Sequence, residues 1–167
     1  MIKLNEIKRM EFTITWRLLY LGFTQEYFDG KDVIDYAIDK LRESDDEEVC
    51  ELAGTGEYEK DRIRELLQEL MLQESTQDEV EFRKIRATAV SRVLQSKNEN
   101  YIDGLMELTE LWVGFDFPND SPHTFQGRYN EITPEEYYTQ ENYENLFNKN
   151  ILWLNKEVSY LKKYQGH

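Results

Sequence analysis

The residues best suited to acid–base or metal chemistry are few. Only two histidines, His123 and the terminal His167, occur among the 167 residues. His123 lies near Asp116 and Asp120, and imidazole and carboxylate groups are ligands of divalent metals. The same residue types are also typical of an ordinary turn with an exposed histidine, and we favour this interpretation. We therefore expect no metal site and no cofactor, while a metal-dependent hydrolase using Asp116, Asp120 and His123 stands as an alternative hypothesis.

A second candidate for chemistry is the carboxylate run Asp45-Asp46-Glu47-Glu48. Neighbouring residues on a helix point in different directions, so the run predicts a solvated face and not a catalytic cluster. The sequence has no glycine-rich phosphate loop, nucleophile elbow, HExxH pair or calcium-binding loop. We expect a protein that is not an enzyme and that works by binding another protein.

The charge distribution indicates what kind of partner the protein has. The formal net charge is -14, and residues 23–81 hold 20 acidic and 6 basic side chains. Such a surface repels phosphate backbones, which argues against nucleic-acid binding, and it attracts basic proteins. Residues 82–97 are the exception, with five basic and no acidic side chains. We expect that Arg83, Lys84, Arg86 and Arg92 lie partly on the polar side of a helix and form ion pairs within the chain.

Apolar residues recur at helical spacing along the chain, and no persistent strand-like alternation occurs. The sequence predicts an all-α fold: one domain over residues 1–167, an irregular bundle of about seven or eight helices. Helix-start signals are Ser44–Glu47, Thr76–Glu79 and Thr133–Glu136, and Gly22 is a predicted helix end. Ile38, Leu41, Ile102 and Met106 are expected on apolar helix faces, and Cys50 as a small buried residue. The predicted helices cover residues 13–21, 31–42, 44–54, 57–74, 76–97, 100–112 and, with one break, 133 to the end.

Residues 114–133 form a predicted long ordered loop. This segment contains Pro118, Pro122 and Gly127, which favour turns, and its interleaved aromatic residues predict that it packs onto the body. Long ordered loops are often functional. No apolar stretch is long enough for a membrane span, and the amino terminus lacks signal-peptide features. We therefore expect a cytoplasmic protein without membrane contact.

Several short motifs resemble one bacterial domain family. They are Thr15-Trp16-Arg17 with Leu21-Gly22-Phe23, the segment 33–37 (Val-Ile-Asp-Tyr-Ala), Leu111-Trp112, and the segment 115–120 (Phe-Asp-Phe-Pro-Asn-Asp), followed by an aromatic carboxyl-terminal helix. The family has no known biochemical activity. It occurs among the immunity genes of polymorphic-toxin and contact-dependent growth-inhibition systems.

The resemblance implies a cytoplasmic immunity protein that binds the carboxyl-terminal domain of a cognate toxin. Toxins of this kind are often nucleases with basic clefts, EndoU-like ribonucleases among them. We expect a monomer that inhibits the toxin in a 1:1 complex, and the acidic composition fits that partner independently. A helical regulatory adaptor for another basic protein is the alternative. The predicted toxin-binding residues are Asp45, Asp46, Glu47, Glu48, Glu51, Glu57, Asp116, Asp120, Phe125 and Tyr129.

Overall fold

The computed structural model describes residues 2–43, 45–128 and 130–164. These residues contain nine α-helices and no β-strand, which confirms the predicted all-α fold. No helix among them is long and apolar enough to cross a membrane. The helices are α1 (Leu4–Arg9), α2 (Trp16–Thr24), α3 (Gly30–Lys40), α4 (Glu47–Gly54), α5 (Lys60–Leu72), α6 (Asp78–Gln95), α7 (Tyr101–Val113), α8 (Pro134–Tyr137) and α9 (Gln140–Tyr164).

Side-chain caps explain where several helices begin. The Thr15 hydroxyl accepts a hydrogen bond from the Leu18 amide at the start of α2, and the Asn100 side chain accepts from the Ile102 amide at the start of α7. Thr133 and Glu136 form the predicted capping box at α8. These bonds satisfy amides that have no partner inside the helix.

The chain divides into two compact units, residues 1–85 with 164–167 and residues 86–163, and the boundary falls within α6. The expectation of a single domain over residues 1–167 stays a prediction. In the first unit, α5 packs against α2 and α4, and α3 packs against α4. The core of this unit consists of fully buried aliphatic residues with one phenylalanine, among them Ile7, Leu18, Leu19, Phe28, Leu52, Ile63, Leu66, Leu67 and Leu70.

The second unit has its own core, built from α7, α8 and α9. The buried members are Leu105, Leu108, Tyr137, Tyr143, Leu146 and Phe147. Gly104 permits close packing of α7 on α9, because a Cβ atom there would lie 2.5 Å from the ring of Tyr143. The buried Trp112 indole donates a hydrogen bond of 2.8 Å to the Asn150 side chain, so these two polar groups satisfy each other in the interior.

Three details of the predicted helices are wrong. Helix α2 continues past Gly22 to Thr24. The glycine serves close packing and not a helix end, because the ring of Phe28 occupies the space that a Cβ atom of residue 22 would need. The Thr76 hydroxyl is buried without a hydrogen-bond partner, so it caps no helix. Helix α1 was not expected at all. Ser44, part of another predicted cap, lies outside the described residues, and Asp46 caps α4 instead.

Several burial predictions also need correction. Cys50 is exposed and not a buried residue, since α4 presents Val49 and Leu52 to the core. Four apolar residues predicted on inward faces are exposed, because each lies at the margin of a helix face that the core does not cover. They are Ile38, Leu41, Ile102 and Met106.

Candidate functional site

Four of the predicted toxin-binding residues meet at the start of α4: Asp45, Asp46, Glu47 and Glu48. We call them the acidic edge. Asp46 is the N-cap residue of α4, and its carboxylate accepts a hydrogen bond of 3.1 Å from the Glu48 amide. Acidic side chains are stabilised at this end of a helix by the helix dipole. The local fold therefore explains why several carboxylates can crowd together here.

Like charges lie close together in the acidic edge. The carboxyl group of Asp46 lies against that of Glu48 and raises the pKa of Glu48, and Glu69 on α5 adds to the same effect. Asp45 and Glu47 are exposed and form no ion pair with any other described residue. A surface of this kind holds like charges together in water, where a basic group from outside can approach them.

Glu51 and Glu57 lie in different surroundings from the acidic edge. The Glu51 carboxylate accepts a hydrogen bond of 2.8 Å from Nε of Arg62, so its charge is already matched within the chain. Glu57 interacts with the exposed hydroxyl of Tyr58 and raises the pKa of that phenol. Of these two residues, only Glu51 has its charge matched by a basic side chain.

Asp120 in the 114–133 loop is held by two partners in the second unit. One of its carboxylate oxygens accepts hydrogen bonds from Arg86 at 2.9 Å and from the Trp153 indole at 3.0 Å. The Arg86 guanidinium lies over the Trp153 ring, 5.2 Å from its centroid, and its NH2 nitrogen is 3.8 Å from the Glu157 carboxylate. These contacts fix the loop on α6 and α9.

The predicted aromatic anchor Phe125 stacks on Phe117 with ring centroids 4.9 Å apart, and it packs against the core of the second unit. The Arg128 guanidinium lies over the Phe117 ring, 4.3 Å from its centroid. Asp116 and Phe117 both have positive φ angles, 54° and 45°, so the backbone is strained where this stack begins. Asp116 is exposed, and Tyr129 lies outside the described residues.

His123 is buried and not exposed as the sequence suggested. Its Nε2 atom lies 3.0 Å from the Thr109 hydroxyl and 3.2 Å from the Tyr137 hydroxyl, while Nδ1 is buried without a hydrogen-bond partner. Burial lowers the pKa of the imidazole to about 4, so the ring is neutral at pH 7. The structure does not gather Asp116, Asp120 and His123, and the described residues contain no group of three or more metal-ligating side chains.

The basic residues of segment 83–92 lie only partly on a polar face: Arg92 is exposed, whereas Lys84 and Arg86 are buried. The predicted ion pairing is confirmed for Lys84 and Arg86. The Lys84 ammonium donates to both carboxylate oxygens of Glu81, at 3.0 and 2.9 Å, and to the Thr13 carbonyl oxygen. Burial raises the pKa of Glu81 despite this attraction. The i, i+3 spacing in the sequence signals the pair, but only the fold shows that it is desolvated.

Two cavities of the first unit have charged side chains among mostly apolar walls. A cavity of about 290 Å³ lies beside Glu81 and Lys84 and is lined by hydroxyl groups such as those of Thr13 and Thr15. The Lys84 ammonium already has three acceptors there, so it offers little to a ligand. A wider cleft of about 550 Å³ has both basic and acidic walls, including Lys31, Lys60, Arg64, Glu26, Asp29 and Glu57. Neither arrangement selects one class of cofactor.

Comparison with known proteins identifies a family and no characterised relative. No curated protein matches the chain, and no solved structure matches it. A family profile matches residues 4–158, which is most of the chain. The chain therefore belongs to the family described as "Uncharacterized protein conserved in bacteria (DUF2247)".

Proposed function

We propose that this protein is an immunity protein: a cytoplasmic monomer that binds a cognate bacterial toxin domain in a 1:1 complex and neutralises it. The proposed toxin is a nuclease with a basic cleft, such as an EndoU-like ribonuclease. Inhibition is stoichiometric, because the chain covers a functional surface of the toxin and does not modify it chemically.

One observation supports the proposal: Asp45 and Glu47 of the acidic edge are exposed and form no ion pair with another residue that the structure describes. Elsewhere in the first unit, exposed carboxylates commonly have a cation, as in the pairs of Lys31 with Asp35 and Lys40 with Glu43. The two exposed carboxylates of Asp45 and Glu47 support recognition of positive charge from another molecule. A nuclease cleft that binds phosphates supplies that charge, and the long-range attraction accelerates encounter.

The test is co-expression with the carboxyl-terminal domain of the protein encoded immediately upstream. We expect a 1:1 complex by light scattering, and survival of bacteria that express this domain only when the chain is also present. If no complex forms and the chain gives no protection, the proposal is wrong and the adaptor hypothesis replaces it.

A charge-matched pair of variants locates the interaction. The first variant carries Asp45→Asn, Asp46→Asn, Glu47→Gln and Glu48→Gln, which keeps an asparagine cap on α4. The control replaces four other exposed carboxylates with glutamine and has the same net charge. We expect affinity to fall about tenfold or more in the first variant and to change little in the control. The control residues are Glu79, Glu131, Glu135 and Glu141.

A further inference from the structure

Helix α7 carries an exposed apolar stripe that the core of the second unit does not use. Ile102 is 40% exposed, Met106 48% and Val113 56%. At about 100° per residue these three positions fall within about 40° of one another around the helix axis. Thr109 lies beside the stripe and is half-buried, because its hydroxyl bonds the Leu105 carbonyl oxygen at 2.8 Å and also contacts His123 and Tyr137. We define the α7 stripe as Ile102, Met106 and Val113, and it extends about 16 Å along the helix.

A row of carboxylates borders one side of the stripe. Asp103, Glu107 and Glu110 fall on the same flank by helical spacing. None of them forms an ion pair with another described residue. Two other carboxylates of this unit do have cations: Glu144 has Lys97 at 2.9 Å, and Asp120 has Arg86. The flank therefore presents unneutralised negative charge directly beside exposed apolar surface.

We propose that the α7 stripe and its acidic flank bind a basic amphipathic segment of the partner protein. The inference deepens the proposed function and rests on it for the identity of that partner, the toxin domain. Apolar side chains of the segment would cover Ile102, Met106 and Val113, and its lysines or arginines would face the three carboxylates. The stripe would supply desolvated contacts, which dominate the free energy of binding, while the carboxylates set orientation.

Charge decides against two other occupants. A second copy of the chain would bring a second row of carboxylates toward the first, and each molecule carries a net charge of -14. Like charges so close together oppose self-association. An anionic membrane surface would be repelled by the same flank. A basic amphipathic protein segment complements both the α7 stripe and its acidic flank.

The first arm of the test uses a synthetic probe, an 18-residue peptide of leucine and lysine with one apolar helical face. The readout is the methyl NMR signal of Met106 in the full chain, since Met10 and Met71 are less exposed. We expect this signal to shift on titration with the peptide. A scrambled peptide of equal composition without an apolar face should leave it in place. Equal shifts with both peptides would overturn the inference.

Two variants separate the stripe from exposed apolar residues elsewhere. Met106→Gln with Val113→Thr removes apolar area from the stripe, and we expect the affinity for the amphipathic peptide to fall about tenfold. Leu72→Gln with Leu152→Gln removes two side chains that are 70% and 60% exposed, and it should change the affinity little. Equal losses would overturn the inference. A Met106 signal that shifts with protein concentration alone, together with a dimer in sedimentation, would also overturn it in favour of a second copy.

The second arm uses the upstream-encoded toxin domain and distinguishes the two proposals. Toxin binding that is weakened about tenfold by the stripe variant supports both. Toxin binding that this variant leaves unchanged retains the immunity function and overturns the assignment of the stripe to the toxin. Peptide binding at the stripe without any toxin binding supports the surface and rejects the immunity function.

Discussion

The beginnings of α4 and α6 contain similar acidic residues in opposite environments. At α6 the carboxylate of Glu81 is 1% exposed and is paired with Lys84, which is 4% exposed. At α4 the side chains of Asp45 and Glu47 are exposed to water. The carboxyl groups of Asp46 and Glu48 contact each other. A buried charge must be matched within the chain because desolvation is costly, whereas a hydrated one can be left for a partner. Burial therefore separates charges that serve the fold from charges suited to recognition.

The largest expected effect on the free energy of unfolding comes from breaking the buried ion pair of Glu81 and Lys84. Lys84→Met leaves the Glu81 carboxylate buried without a cation, and we expect a loss of about 3–5 kcal/mol in the free energy of unfolding. Urea denaturation followed by circular dichroism measures it. Glu81→Leu combined with Lys84→Met should recover most of the loss, since no uncompensated charge remains.

Lys31→Met is the matched control for that experiment. It breaks the ion pair with Asp35, in which both side chains are more than half exposed. Exposed pairs contribute little, so the urea midpoint should not move. If Lys84→Met were as mild as Lys31→Met, the distinction between buried and exposed charge at these two helices would be wrong.

An intermediate effect is expected from His123, a buried titratable group in the second unit. Its pKa is lowered from 6.5 to about 4 by burial, so on acidification the unfolded chain takes up the proton first. The stability that depends on neutral imidazole is therefore complete above pH 6.5 and is lost as pH falls from 6.5 toward 4. The loss amounts to about 3 kcal/mol by linkage.

The comparison that isolates this contribution is the pH profile of unfolding for the native chain and for His123→Gln. Glutamine can still bond the hydroxyls of Thr109 and Tyr137, and it does not titrate. We expect the difference between the two profiles to grow steadily below pH 6.5. Parallel profiles across this window would mean that the imidazole does not titrate as its burial implies.

The smallest effect on stability is expected at the acidic edge. Neutralising Asp45, Asp46, Glu47 and Glu48 relieves the contact between like charges and retains a capping asparagine. The urea midpoint should stay unchanged or rise slightly, while affinity for the toxin domain falls. A marked loss of stability would show that the edge serves the fold, and the contrast with Glu81 and Lys84 would disappear.

Local sequence signals predicted much of the helical structure. Apolar spacing located helices α2 to α7, and the Thr133–Glu136 capping box located α8, because these signals act within a few residues. Partners distant in sequence escaped prediction. Gly22 was interpreted as a helix end because its packing against Phe28 depends on a turn that follows the helix. The Glu74 carboxylate accepts hydrogen bonds from the amides of Trp16 and Arg17, across almost 60 residues of chain.

The candidate site was predictable only in part. The acidic run was visible in the sequence, but which of its charges remain unpaired depends on contacts such as Glu51 with Arg62. Residues 84–88 are all buried, although two of them are basic, so the middle of this helix has no exposed polar face. The α7 stripe was missed because helical spacing alone cannot tell which apolar face the core covers.

The most direct test of the immunity proposal is the affinity for the upstream-encoded toxin domain as a function of salt concentration. We expect affinity to fall steeply with salt for the native chain, and less steeply for the variant in which the acidic edge is neutralised. The control variant of equal net charge should follow the native chain. If the edge variant keeps the native salt dependence, or if the native chain does not bind, the acidic edge is not a toxin-binding surface.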